Sequence, residues 1–174
     1  MSRRKPRERL VVARSSDNDK RRLRDPIPPK VWLTALASRA SFQGYSKHKL
    51  APRAFGLEPF AGPREDATYC DGHAQFGPRD LDRVPSLLER GISSGLVGHN
   101  DAQGDPTILW TVDDNGWIYE ARITIPGQAV YHGYPVLGTE AIARLVLARY
   151  VQHVYDTENK ALFPSVQQLQ ERYS

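Results

Sequence analysis

The sequence has little cysteine and no long hydrophobic run. Cys70 is the single cysteine among 174 residues, so the chain cannot form an intramolecular disulfide and needs no oxidising compartment. The apolar stretch 10–13 is too short for a secretory signal peptide, and no stretch approaches the roughly 18 apolar residues that span a bilayer. We therefore expect a cytoplasmic protein without a membrane partner.

The sequence also lacks the usual signatures of cofactor binding. It contains no dinucleotide-binding, Walker, nucleophile-elbow or zinc-ribbon motif. Cys70 and His73 have the Cys-x-x-His spacing of half a zinc site, but structural zinc sites usually use two such pairs. We predict neither a metal nor a cofactor.

Positive charge is concentrated at the N-terminus. Residues 1–30 carry 11 of the 24 Lys and Arg and 4 of the 20 Asp and Glu, a net charge of +7; residues 31–174 carry the other 13 and 16, a net charge of −3. The first segment has few apolar residues and ends in the proline-rich stretch 25–29, a composition typical of disordered chain. We predict a disordered basic arm over 1–30, which either binds RNA or another polyanion or only aids solubility.

Residues 31–174 have the length of a single domain, and their pattern predicts an α+β fold. Apolar spacing indicates helices over 31–39 and 79–90 and from Thr139 onward, a long loop over 44–77, and neighbouring strands between 92 and 136. Because the strands do not alternate with helices, we expect an antiparallel sheet of three to four strands with helices packed on one face.

The clearest element is a β-hairpin from Thr107 to Ile125 with Asn115-Gly116 at its turn. Asn-Gly favours the left-handed backbone angles of a two-residue type I′ turn. A two-residue loop there pairs apolar residues on one face of the hairpin: Val112 with Tyr119, Trp110 with Ala121, and Ile108 with Ile123. The pattern therefore predicts one buried face and one polar face.

Glu120 and Arg122 lie two residues apart and so share the predicted polar face. In a structural interpretation they form an exposed ion pair of little energetic value. In a catalytic interpretation the carboxylate takes a proton, and the guanidinium stabilises the negative charge that develops on a phosphate. The sequence leaves both interpretations open.

His132 joins these residues only if the loop after Ile125 has the right length. A two-residue loop turns His132 toward the apolar layer. A loop one residue longer places His132 opposite Arg122 and Tyr134 opposite Glu120. The second register keeps the histidine out of the core, but the sequence does not choose between them.

The long loop supplies further candidates. Basic residues alternate there with aromatic ones, which suits phosphate contact and base stacking and equally suits a surface loop anchored by its aromatic rings. The candidate nucleic-acid-binding residues are Lys47, His48, Lys49 and Arg53, together with Tyr134 of the sheet. His73, which precedes the helix 79–90, is a further acid or base candidate, with a hydrogen bond to local backbone as the structural alternative.

The order of elements around His73 resembles a known group. Gly72-His73-Ala74, a helix that extends to Leu88, and then an antiparallel sheet with a polar face are similar to the small bacterial toxin RNase domains of the barnase, EndoU, colicin and RelE-like group. The resemblance covers about residues 70–136 and is architectural.

The resemblance implies two different sets of roles. A barnase-type arrangement implies Glu120 as the base, Arg122 as the phosphate clamp and His132 as the acid. An EndoU-type arrangement implies that His73 and His132 share the acid and base roles with a lysine such as Lys49.

Two functions follow as hypotheses. The first is a toxin-type, metal-independent RNA endonuclease in which the ribose 2′-hydroxyl attacks the adjacent phosphate, with RNA and a cognate inhibitor protein as partners. The second is a non-enzymatic immunity or accessory protein that binds a protein partner and holds a polyanion with its arm. Convergence of His73, Glu120, Arg122 and His132 in one pocket would favour the first.

Overall fold

The structure is a computed structural model that describes residues 21–174, so residues 1–20 of the predicted arm lie outside the described residues. It confirms the α+β class. The helices are α1 (Lys30–Arg39), α2 (Cys70–His73), α3 (Val84–Ser93), α4 (Ala141–Asp156) and α5 (Phe163–Tyr173). The strands are β1 (Ser41–Phe42), β2 (Ile108–Val112), β3 (Ile118–Ile125) and β4 (Val130–Pro135). No helix within residues 21–174 is long and apolar enough to cross a membrane.

The four strands form one mixed sheet in the order β1-β4-β3-β2. The β2–β3 and β3–β4 pairs are antiparallel as expected, but β1 runs parallel to β4, so the sheet is not purely antiparallel. β1 has only two residues, too few for a recognisable alternating pattern, and it covers the edge of β4.

Helices pack on both faces of the sheet, whereas the sequence predicted one. One apolar cluster joins α1 and α3 to Leu109, Ala121 and Tyr131 of the sheet. The other joins α4 and α5 to the alternate sheet residues Trp110 and Ile118. Both faces are therefore covered, and a polar side chain in this sheet has to be paired or placed near the sheet margin.

The register of the first hairpin differs from the prediction by one residue. Trp110 lies opposite Glu120 rather than Ala121. The reason is a three-residue loop, 114–116, closed by a hydrogen bond from the Asp113 amide to the Trp117 carbonyl. Asp113 Oδ1 also accepts from the amides of Asn115 and Trp117, both at 2.9 Å. The carboxylate of Asp113 thus favours a longer turn than the Asn-Gly pair alone suggests.

The second hairpin has the register predicted for the longer loop, but it reaches that register through a four-residue loop, 126–129, and a bulge. His132 lies opposite Arg122, and Tyr134 lies opposite Glu120. The register shifts between Ile123 and Ile125, so Thr124 forms a bulge. This pairing brings the chemically interesting residues of β3 and β4 onto one face.

Residues 21–29, which the sequence assigned to the disordered arm, pack against the domain. Arg21 is only 6% exposed. The Arg24 amide donates to the Val97 carbonyl at 2.8 Å, and Arg149 donates to the Arg24 carbonyl at 2.7 Å. The burial of Arg21 and these two hydrogen bonds, which composition does not reveal, anchor the end of the arm to the domain.

Candidate functional site

Three of the four predicted catalytic residues lie side by side on the sheet. Arg122 Nε donates to Glu120 Oε1 at 3.0 Å and contacts the Tyr134 hydroxyl at 2.6 Å. The Tyr134 hydroxyl donates to Glu120 Oε1 at 2.5 Å. His132 lies across from Arg122 on β4. The strand pairing therefore joins Glu120, Arg122 and His132 to Tyr134, a predicted nucleic-acid-binding residue.

Glu120 is the buried centre of this group, with no exposed surface. Its Oε2 accepts from Arg21 Nε at 2.8 Å and from Trp110 Nε1 at 3.1 Å. Arg21 also bonds Glu140 Oε2 at 2.8 Å and so lies between two carboxylates. Each oxygen of Glu120 has two donors, which meets its hydrogen-bonding needs without water.

Burial alone would raise the pKa of Glu120, but Arg21, Tyr134 and Arg122 together hold that pKa below its usual value. The carboxylate is therefore ionised at neutral pH. Its lone pairs already face donors, and it has no exposed surface from which to reach a substrate. This geometry suits a residue that positions Arg122 and Tyr134 better than it suits the general base implied by the barnase-type arrangement.

His132 is partly exposed at the margin of the group. Its Nδ1 lies 2.8 Å from Thr124 Oγ1 on the bulge of β3. Burial, reinforced by the positive charges of Arg122, Lys47 and Lys49, lowers the pKa of His132 to about 4. The imidazole is neutral at pH 7 and can accept a proton, which suits a base better than the acid implied by the barnase-type arrangement.

His48 brings a second imidazole from the long loop. It is 3% exposed, its ring stacks on Tyr134 with centroids 4.3 Å apart, and it lies 6.0 Å from the ring of His132. His48 Nδ1 lies 3.0 Å from the Thr68 carbonyl oxygen, which can only accept, so Nδ1 carries a proton in this contact. The sequence named His48 as a nucleic-acid contact but did not place it beside His132.

Aromatic rings continue the site outward. Tyr45 makes edge contacts with His132, at 4.8 Å between centroids, and with Phe60, at 5.6 Å. We call His132, Tyr45 and Phe60 the aromatic row. Tyr45 is 38% exposed, so the row has a face open to solvent.

Other predicted residues lie elsewhere. The contacts that the structure gives His73 are with Tyr69: His73 Nδ1 accepts from the Tyr69 amide at 2.9 Å, and the two rings stack. This is the structural alternative, a hydrogen bond to local backbone. The site therefore lacks the His73 pairing implied by the EndoU-type arrangement.

The three basic loop candidates besides His48 have different surroundings. Lys49 is 2% exposed, and its ammonium lies 4.9 Å from the centre of the Phe55 ring, so it does not lie on the surface where a phosphate contact was expected. Lys47 pairs with Asp66 at 3.1 Å. Arg53 is exposed on the short helix Pro52–Phe55.

Cys70 is buried beside Lys49. The two line a small apolar cavity of about 50 Å³. Burial raises the pKa of the Cys70 thiol, which keeps the thiol protonated and unreactive. Within residues 21–174, no group of three or more His, Cys, Asp or Glu side chains is arranged to hold a metal ion.

Sequence reasoning missed several residues of the site. Trp110 was placed opposite Ala121 by the one-residue register error, although the Asp113 side chain signals the longer turn. Arg21 lies in a segment that composition assigns to the disordered arm, so it was not considered for the site. Glu140, its ion-pair partner just before α4, belongs to no recognisable sequence motif. Nothing in the sequence pointed to these long-range ion pairs.

Fold and site together define an α+β protein with a buried carboxylate under a surface of guanidinium, imidazole and phenol groups. Comparison of the chain with protein-family models, curated proteins and solved structures finds no match. Its function therefore has to be inferred from the chemistry of this site.

Proposed function

We propose that this protein is a toxin-type, metal-independent RNA endonuclease. The observation that carries the proposal is the grouping of His132, His48, Arg122 and Tyr134 on one face of the sheet. A neutral imidazole beside a fixed guanidinium supplies a group that takes the proton of a 2′-hydroxyl and a charge that neutralises the phosphate under attack.

Arg122 is the phosphate clamp in this proposal. Its side chain is 35% exposed, and the hydrogen bonds it makes to described residues pass through Nε, toward Glu120 and Tyr134. The Nη atoms remain for two parallel bonds to phosphate oxygens, the geometry in which arginine binds phosphate best. Glu120 fixes the guanidinium from below and takes no proton.

His132 begins the reaction as the base. Neutral His132 takes the proton of the ribose 2′-hydroxyl, and the oxygen attacks the adjacent phosphorus. The bond to the 5′-oxygen breaks, and that oxygen receives a proton from water. His48 is 3% exposed and donates its Nδ1 proton to the Thr68 carbonyl, so it positions Tyr134 by stacking on its ring. The products are a 2′,3′-cyclic phosphate and a 5′-hydroxyl, with no metal required.

The test uses purified protein, EDTA, and a DNA oligonucleotide that contains one ribonucleotide. Mass spectrometry should find a cyclic phosphate at the ribonucleotide, and an all-DNA strand should remain intact. His132→Ala should lower kcat/KM by about 100- to 10,000-fold, the usual contribution of a general base. The matched control His73→Ala should retain activity, because the hydrogen bond and the ring contact of its side chain are with Tyr69 and not with His132 or Arg122.

Cleavage that continues unchanged in His132→Ala would overturn this assignment. Wild-type protein that binds RNA but leaves it intact would favour the second function, a non-enzymatic immunity or accessory protein. The complete pairing of Glu120 favours that alternative, because a saturated ion-pair centre also serves as scaffold. Copurification with one stoichiometric protein partner would support it.

A further inference from the structure

An open groove of about 540 Å³ lies at the outer end of the aromatic row. We call it the loop groove; the residues that matter here are Leu50, Arg53, Pro59, Phe60 and Arg64. Its volume is in the range of sites that hold a small organic ligand or one nucleotide. The proposed roles of His132, His48 and Arg122 make no use of it.

The loop groove combines an aromatic wall with positive charge. Phe60 makes an edge contact with Tyr45, and the Arg64 guanidinium lies 5.8 Å from the centre of the Phe60 ring. Arg64 is held by the carbonyl oxygens of Lys49 and Ser46, at 3.2 and 3.3 Å. Its charge is thus fixed beside the ring.

Arg53 supplies a second cation at the rim. It is exposed, and neither Arg53 nor Arg64 pairs with a carboxylate of the described residues. The described lining contains no acidic side chain. A ligand that presents one flat ring and one negative charge matches this lining, whereas an apolar peptide would leave the arginine charges unmatched.

We propose that the loop groove binds a nucleotide of single-stranded RNA that lies beyond the two nucleotides joined by the cleaved phosphate. Its base stacks on Phe60 and its phosphate lies at Arg53, while Arg122 and His132 hold the cleaved linkage. The inference rests on the proposed function, and the continuity of the aromatic row from His132 to Phe60 connects the two sites. Base stacking on aromatic side chains tolerates any base, so we expect a length preference without a sequence preference.

The experiment compares binding of 2′-O-methyl oligonucleotides of two and six nucleotides by fluorescence anisotropy. These probes lack the attacking hydroxyl, so binding is measured apart from cleavage. The hexanucleotide should bind more tightly to the wild-type protein. Phe60→Ala should weaken hexanucleotide binding by about 5- to 100-fold and change dinucleotide binding less than about 2-fold.

Two further variants separate stacking from packing and charge. Phe60→Leu keeps an apolar side chain without a π face and should behave as Phe60→Ala does. Arg53→Ala should reduce the slope of log affinity against log salt by about 0.7, the value for one phosphate contact in a single strand. Phe163→Ala and Arg79→Ala, which change a partly exposed aromatic and an exposed arginine outside the groove, should match wild type.

The outcomes for the groove and for the enzyme are independent. Hexanucleotide binding that is no tighter than dinucleotide binding, or that survives Phe60→Ala and Phe60→Leu, overturns the groove even in a protein that cleaves RNA. Loss of the length preference in these variants supports the groove even if the wild-type protein cleaves nothing, and then only the proposed reaction fails.

Discussion

At the scale of single residues, the site shows how environment changes a role inferred from residue type. Glu120 was the candidate base, yet four donors and complete burial make it a fixed anion. His132 was the candidate acid, yet burial and nearby cations keep it neutral. The sequence left open whether His132 joins Glu120, and it could not assign the protonation of either residue, which depends on contacts from Arg21 and the long loop.

The lowered pKa of His132 predicts a specific pH dependence of stability. Its folded-state pKa of about 4 lies below the ordinary histidine value of 6.5, so the unfolded chain binds the proton more readily. The stability that depends on neutral His132 is fully present above pH 6.5 and is lost as the pH falls toward 4. We expect wild type to lose about 1 to 3 kcal/mol more than His132→Gln between about pH 7 and pH 4.

Urea denaturation of both proteins at closely spaced pH values measures this difference. Carboxylates that titrate in the same range contribute to both curves and cancel in the comparison. Parallel curves would contradict the prediction, because they would show that folding does not lower the pKa of His132.

At the scale of elements, hairpin turns decided which predictions held. The register that places His132 opposite Arg122 was one of two alternatives, and the structure has it, although through a four-residue loop and a bulge instead of the three-residue loop predicted. The β2–β3 turn was predicted wrongly because Asn-Gly was taken as the whole signal, while Asp113 closes a three-residue loop. The helix predicted over 79–90 continues to Ser93 in α3, and it includes Gly91, where a side chain would meet the Trp110 carbonyl at 2.1 Å.

Gly116 provides the test of how α5 packs against the first hairpin turn. Its φ is +74°, and a Cβ there would lie 2.3 Å from the Gln168 backbone. Gly56 has a similar φ of +71° but open space around it. Gly56→Ala should therefore cost about 1 kcal/mol, the contribution of the backbone conformation alone.

Gly116→Ala should cost about 1 to 3 kcal/mol more than Gly56→Ala, because the backbone of α5 has to move away. Chemical denaturation of the two variants gives both values under the same conditions. Equal losses would mean that α5 does not press on the turn.

At the scale of the whole molecule, one buried arginine links parts of the chain that composition separates. Arg21 follows directly on the basic segment, bonds Glu120 of β3, and bonds Glu140 at the start of α4. The sequence predicted the fold class and the long loop over 44–77, because both follow from the local pattern of apolar residues, glycine and proline. It could not predict this link or the covered second face, since both depend on pairs that are distant in sequence.

The position of Arg21 defines how the basic segment has to be tested. Deletion of residues 2–20 removes seven Lys and Arg and three Asp and Glu, a net charge of +4, and keeps Arg21 in its ion pairs. If the segment tethers RNA, affinity for a long single strand should fall, and the salt slope should decrease by about 0.7 for each phosphate that the segment no longer neutralises. Catalysis on a dinucleotide, which is too short to reach the tether, should not change.

A second variant of full length, with the same seven basic residues replaced by serine, distinguishes charge from chain length. A charge-dependent tether predicts a smaller slope and lower affinity in both variants, with affinity at least as low in the serine variant, which keeps Glu8, Asp17 and Asp19. An unchanged salt slope in both would limit residues 2–20 to a role in solubility. Weaker binding only in the deletion would mean that the segment acts through interactions other than charge.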